Sequence, residues 1–184
     1  MIQWFLNEKQ FIPDDHKPTF FDIDFDALKQ KGIKALLIDI DNTLIPYDQT
    51  LPSEALHRKF RQLKAEGFFI VLISNNHKPR IAHFSSALKL PFIYGAKKPM
   101  KRGFKKALKL LNTEKDNVMV IGDQLMTDVF GAKRMDLKVL WLKPIKKKTE
   151  KWYTKINRHL EKKMLGKIKR KHPEIYDNLN LGDR

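Results

Sequence analysis

Lys34-Ala-Leu-Leu-Ile-Asp39-Ile-Asp41-Asn42-Thr43-Leu44 decides how this chain is read. The short apolar run reads as a buried strand. It delivers Asp39 and Asp41 at its C-terminal end, where open α/β sheets bind their ligands. Side chains alternate along a strand, but a backbone that starts to turn at Asn42-Thr43 can bring both acids towards one pocket. Two carboxylates there can hold a divalent cation and divide nucleophile and acid/base roles between them. By itself an Asp-x-Asp reads more readily as an N-cap pair or a surface turn, or as a metal site on another fold, so the surrounding chain has to choose.

Working outward, apolar runs at 34–39, 69–74, 92–94, 118–122 and 138–142 read as five strands. Helical patterns fill the gaps at 54–66 (with Ser53 as N-cap and Gly67 as stop), 79–89, 101–111 and 125–134. Strands alternating with helices of this length predict a mainly parallel sheet covered on both faces. The tips of successive strands carry chemistry. The second ends in Ser74-Asn75-Asn76, the third in Gly95-Ala-Lys97-Lys98-Pro99, and the fourth in Gly122-Asp123-Gln-Leu-Met-Thr-Asp128. Acid, hydroxyl, lysine and acid at four strand ends suit a phosphate monoester. Carboxylates hold Mg²⁺, the ion lets an anionic nucleophile approach phosphorus, and Ser74 and Lys98 hold oxygens where transition-state charge collects.

These segments resemble motifs I to IV of the haloacid dehalogenase (HAD) superfamily of phosphatases. The wider string is similar to the YqeG group of its subfamily IIIA. The resemblance covers residues 34–142 and implies a HAD-like Rossmannoid three-layer α/β/α fold. It implies that Asp39 is the nucleophile and Asp41 the general acid/base. Asp39, the backbone carbonyl of Asp41, and Asp123 would ligate Mg²⁺. Asn42, Ser74, Asn75 and Lys98 would bind phosphate, and Asp128 would orient the metal shell or Lys98. Asp41 points to a phosphatase, because the dehalogenases of the superfamily lack a second aspartate there.

From Asp39 to Ser74 is 35 positions and from Ser74 to Lys98 is 24, room for one helix and one strand each. No cap domain fits in either gap, and an uncapped site suits a phosphate displayed on something large. The YqeG group also resembles the mitochondrial phosphatidylglycerophosphate phosphatases, so the implied substrate is a lipid monoester headgroup. A nucleic-acid end, a phosphoprotein or a soluble sugar phosphate is the alternative within the same chemistry. A nucleic-acid- or ribosome-binding protein on a HAD scaffold is the alternative outside it.

Composition narrows the setting. The chain has 184 residues, 42% hydrophobic, and no cysteine, which excludes disulfides, thiolate metal sites and cysteine nucleophiles. There is no run of apolar residues long enough to span a bilayer and no secretory leader pattern at Met1, so the expected compartment is the cytoplasm, with a peripheral seat at the inner face of the membrane. Net charge is +16, of which residues 143–171 carry +11 through 13 Lys or Arg against Glu150 and Glu161. Two segments are therefore expected: a core with an N-terminal arm at 1–147, the arm wrapping the sheet edge, and a basic amphipathic helical tail at 148–184 whose last dozen residues fray. Along the tail, Trp152, Tyr153, Ile156, Leu160, Met164, Leu165 and Ile168 recur at helical spacing. Two readings of that stripe stand side by side: contact with an anionic membrane or partner, or packing on the protein's own sheet. On the first, removing 149–184 spares hydrolysis of a small phosphate, since none of the four motifs lies there.

Overall fold

The computed structural model describes residues 7–182; the outermost ends of the two expected segments, 1–6 and 183–184, lie outside it. In chain order the elements are β1 (Asp15–Lys17), α1 (Phe25–Gln30), β2 (Ala35–Ile38), α2 (Glu54–Ala65), β3 (Phe69–Ile73), α3 (Lys78–Leu88), β4 (Phe92–Ile93), α4 (Lys101–Leu111), β5 (Val118–Gly122), α5 (Phe130–Lys133), β6 (Lys138–Leu142), α6 (Trp152–Lys171) and α7 (Pro173–Asn178). The sheet order is β1-β6-β5-β2-β3-β4, and every pair is parallel.

Period-two alternation sorts the strands into two faces. Leu36 and Ile38 of β2, with Ile70 and Leu72 of β3, meet Phe25 of α1, Leu56 and Phe60 of α2, and Ile81 and Phe84 of α3. Ala35, Leu37, Val71 and Ile73 point the other way, against Phe104 and Ala107 of α4 and Ala132 of α5. The result is a three-layer α/β/α fold with the central strands buried on both sides, which is why β2 and β5 read as unbroken apolar runs.

Three features differ from the sequence reading. The N-terminal arm adds a sixth strand, β1, with Asp15 opposite Leu140. It is three residues of Asp-His-Lys at a sheet edge and carries no apolar signal. The expected helix at 125–134 opens instead with a wide π-type turn over Leu125–Val129 before α5. Within the stretch expected to fray, Pro173–Asn178 form α7 and Leu181 behind it is fully buried.

The tail stripe divides along its length. Met164, Leu165 and Ile168 join the second core face beside Phe11 and Trp141. Trp152, Tyr153 and Ile156, two to three turns before Met164, are 73, 44 and 51% exposed. No helix among the described residues is long and apolar enough to cross a membrane.

Chain order fixes where ligands go. From β2 the chain runs outward through β3 and β4, then returns to the opposite side of β2 as β5. That reversal opens a crevice at the C-terminal ends of β2 and β5, the topological switch point. Only the twelve-residue α2 lies between β2 and β3, and the eleven-residue α3 between β3 and β4, so no inserted domain roofs the crevice among the described residues.

Candidate active site

Asp39 immediately follows β2. The chain then hooks back: Asn42 adopts the left-handed conformation (φ 65°), which asparagine tolerates, and its N–H donates to Ile45 O at 2.7 Å. The hook turns Asp41 into the crevice that Asp39 also lines, along with Ser74 and Lys98.

Lys98 stands at the centre. Its ammonium donates to Asp39 Oδ1 at 2.5 Å and Asp128 Oδ1 at 2.6 Å, with all three side chains almost wholly buried. Burial pulls the lysine's pKa down, but the Asp128 and Asp39 carboxylates outweigh it and hold the ammonium protonated. Burial also pushes the Asp39 carboxyl well above its ordinary range, with Lys98 opposing and Asp128, Asp123 and Asp41 adding to the rise. Thr43 Oγ lies 3.1 Å from Asp39 Oδ2 and 3.2 Å from Asp123 Oδ1, so its hydroxyl links two acids from different strand tips. Burial raises Asp123 to about 6 against the pull of Arg158.

The π-type turn explains how Asp128 reaches back. Its wider helical winding aims the carboxylate at Lys98 through Oδ1 and at the Gln124 N–H through Oδ2 (3.0 Å). Gly122 is required at that spot, because a Cβ there would overlap the Asp128 carboxyl group.

Asp41 sits across the crevice. Its Oδ1 accepts from Arg80 Nε at 2.9 Å and pairs electrostatically with Nη2 at 2.7 Å, and its Oδ2 accepts from the Ser74 hydroxyl and Asn76 Nδ2, each at 3.3 Å. Asn76 also donates to the Tyr47 hydroxyl (2.8 Å). Asn75 spends its amide on the Lys98 backbone, accepting from Lys98 N (2.6 Å) and donating to Lys98 O (3.1 Å), and so fixes the lysine's turn. The Asn42 side chain turns away to Glu150 Oε1 (2.9 Å) and the Lys146 N–H (3.3 Å).

The structure therefore gathers Asp39, Asp41, Ser74, Lys98, Asp123 and Asp128 at one crevice, while Asn42 and Asn75 are committed to protein partners at its wall. It also brings in groups to which the sequence reading gave no role: Thr43, Tyr47, Asn76, Arg80, and Glu150, Arg158 and Glu161 from the tail. Around the site six carboxyl groups face three cations: Asp41 pairs with Arg80, Asp39 and Asp128 with Lys98, and Asp123, Glu150 and Glu161 with Arg158. Asp39, Asp123 and Asp128 each offer an oxygen within 4.8 Å of the others. An acid-rich, all-oxygen donor set of that kind fits a hard divalent cation such as Mg²⁺.

The class this defines is a phosphatase of the HAD superfamily. A family profile described as mitochondrial PGP phosphatase matches residues 1–146, and the chain belongs to that family. A protein named "Probable phosphatase YqeG", from Bacillus subtilis (strain 168), is 35% identical over 164 residues, spanning 89% of this chain and 95% of that one. The glyceraldehyde 3-phosphate phosphatase of Pyrococcus furiosus is 28% identical over 122 residues, 61% of this chain and 50% of that one. An uncharacterized protein of solved structure from Listeria monocytogenes serotype 4b superposes with a TM-score of 0.50 at 14% identity, over 65% of this chain and 85% of that one, a likeness of fold alone.

Proposed function

We propose that the chain is a Mg²⁺-dependent phosphomonoester hydrolase that works through an aspartyl-phosphate on Asp39, with phosphatidylglycerophosphate at a membrane surface as its substrate. The observation that carries the chemistry is the pairing of Asp39, buried beside Lys98, with Asp41 on the opposite wall. Asp39, the Asp41 carbonyl and Asp123 would hold the ion, which neutralises phosphate charge as a Lewis acid. Asp39 attacks phosphorus, and the bond to the leaving alkoxide breaks as Asp41 gives that oxygen a proton. Asp41 then takes a proton from water, whose oxygen attacks phosphorus and frees Asp39. Lys98 and Ser74 hold the non-bridging oxygens, and Asp128 keeps Lys98 aimed. Arg80 and Asn76 fix the Asp41 carboxylate in one orientation, while the single Ser74 proton, on Asp41 Oδ2 here, would turn to the phosphate.

The leaving group lies on the Asp41 side, where Tyr47, Arg80, His77 and Lys151 line a groove. Arg80 and Lys151 both lie against the Tyr47 ring, at 4.9 and 5.0 Å. That cationic wall suits an alcohol bearing a second anionic group, as this lipid does. Tyr153 lines the crevice, and around it in the chain Ile145, Trp152 and Ile156 are exposed with Lys147, Lys148 and Lys155, a mixture of apolar and basic side chains that favours an anionic bilayer. Family membership supports the same substrate. The Pyrococcus relative favours a second reading, a small triose phosphate. The deciding experiment compares turnover of phosphatidylglycerophosphate in mixed micelles with glyceraldehyde 3-phosphate and other soluble esters, with and without Mg²⁺. Preference for the lipid supports the proposal; equal or better turnover of the triose ester overturns its substrate half, and turnover unaffected by chelation overturns its metal half.

A further inference from the structure

Helix α6 brings charged residues to the catalytic edge that none of the four motifs contains. Arg158 Nη1 donates to the Asp123 carbonyl at 2.8 Å, and Nη2 pairs directly with Asp123 Oδ2. The rest of the guanidinium serves two glutamates: Glu150 Oε1, 2.6 Å from Nη2 and 3.0 Å from Nε, and Glu161 Oε2, 3.1 Å from Nη1. Each glutamate in turn grips a loop. Glu150 accepts from Asn42 in the turn after β2, and Glu161 accepts from the Leu125 N–H (2.6 Å) in the turn after β5. Both are buried, 6 and 1% exposed, although they are the only acids in the lysine-rich stretch.

We propose that Arg158 is a positioning residue: with Glu150 and Glu161 it forms a strut from α6 that locks the turn bearing Asp41-Asn42 to the turn bearing Asp123, fixing the spacing of the acids that would hold Mg²⁺. The inference rests on the metal reading given above.

Two effects compete at such a residue. A guanidinium beside a metal-binding acid repels the ion, while a guanidinium that orients the acid prepares it. The geometry favours orientation. Asp123 Oδ1 shares the Thr43 hydroxyl with Asp39 Oδ2; Arg158 takes the other Asp123 oxygen, Oδ2. Arg158 also keeps the Asp123 carbonyl, Glu150 and Glu161, so its place does not depend on the Asp123 carboxylate. Three carboxylates against one arginine leave the cluster acidic with the strut in place.

The test uses the full chain. Mg²⁺ affinity of EDTA-stripped protein is measured by calorimetry, alongside p-nitrophenyl phosphate turnover as a function of Mg²⁺. Loss of an outer partner of a metal ligand typically weakens metal binding by about 10–100-fold. Arg158→Gln is expected in that range, with turnover recovering at high Mg²⁺. Arg158→Lys should be intermediate, since an ammonium cannot fork between partners. A merely structural arginine would lower the melting temperature and leave Mg²⁺ affinity alone. Folded Arg158→Gln with unchanged or tighter Mg²⁺ binding overturns the strut. If that variant does not fold, Glu150→Gln, which keeps an acceptor for Asn42 but loses the charge facing Arg158, should still weaken binding severalfold; unchanged affinity there overturns the strut equally. Wild-type protein that turns over substrate without binding Mg²⁺ would instead fail the metal reading, and the strut with it.

Discussion

Deleting residues 149–184 should unfold the protein rather than release a working catalytic core. The deletion removes Met164, Leu165, Ile168 and Leu181, all buried against Phe11 and Trp141 on the second sheet face. At roughly 1.5–3 kcal/mol for each buried side chain, the lost burial is about 6–12 kcal/mol. Whole domains are stable by roughly 5–15 kcal/mol, so the loss is comparable to everything that holds the fold together. Asp123 also loses Arg158, and Leu125 its Glu161 acceptor. A milder version scales accordingly. Ile168→Ala should cost about 2–5 kcal/mol, and at about 2–4 °C per kcal/mol the melting temperature falls by roughly 4–20 °C. Circular dichroism melts of both variants, with p-nitrophenyl phosphate turnover measured on the same samples, make the comparison. A truncated chain that melts cooperatively near the full-length temperature and keeps full turnover would refute the reasoning.

Further expectations follow from the same geometry. Asp39→Asn should stay folded and lose turnover, because an amide cannot attack phosphorus, and Asp41→Asn should lose about 10²–10⁴-fold in kcat; steady-state kinetics read both. In metal-free protein the folded Asp123 carboxyl titrates at about 6 against an ordinary 3.8, so its contribution to stability is present below the unfolded value and lost as pH rises through 6. Stability in EDTA should therefore fall by roughly 3 kcal/mol from this group between pH 4 and 7, and Asp123→Asn should flatten that slope in denaturant titrations. Replacing Trp152 and Ile156 together by Ser should leave the melting temperature and soluble-ester turnover unchanged, since both are exposed. It should weaken co-sedimentation with anionic vesicles, each side chain contributing up to about 1.5–3 kcal/mol if it enters the bilayer interface. Binding that ignores the double substitution would count against that face as the membrane contact.

The sequence disclosed most where residues are buried on both sides. β2, β3, β5 and β6 read directly because parallel strands between two helical layers are continuous apolar runs. β1 did not, since three polar residues at an edge carry no period. The π-type turn at Leu125–Val129 was invisible because its residues also fit an ordinary helix; only the need for Asp128 to meet Lys98 distinguishes the two. Ser74, Lys98 and Asp123 were legible from their places at strand tips, whereas Arg80 and Arg158 come from helices and look like surface cations. A signal for Arg158 existed all the same. Glu150 and Glu161 interrupt a run of 13 cations, and lone acids in such a stretch are the residues to suspect of burial in an ion-pair network. The apolar stripe of α6 left two readings open for another reason: its later turns pack on the sheet while its first turns lie exposed.

The central claim is that Asp39 carries the phosphoryl group. Protein mixed with substrate, quenched in acid during turnover and treated with borohydride should yield reductive cleavage of an acyl-phosphate, located by peptide mass spectrometry. The account predicts modification at Asp39 alone, its disappearance in Asp39→Asn, and its accumulation in Asp41→Asn with a reactive aryl phosphate, where water activation is impaired while the leaving group needs no proton. Modification at another residue, or none in any sample while turnover proceeds, would contradict it.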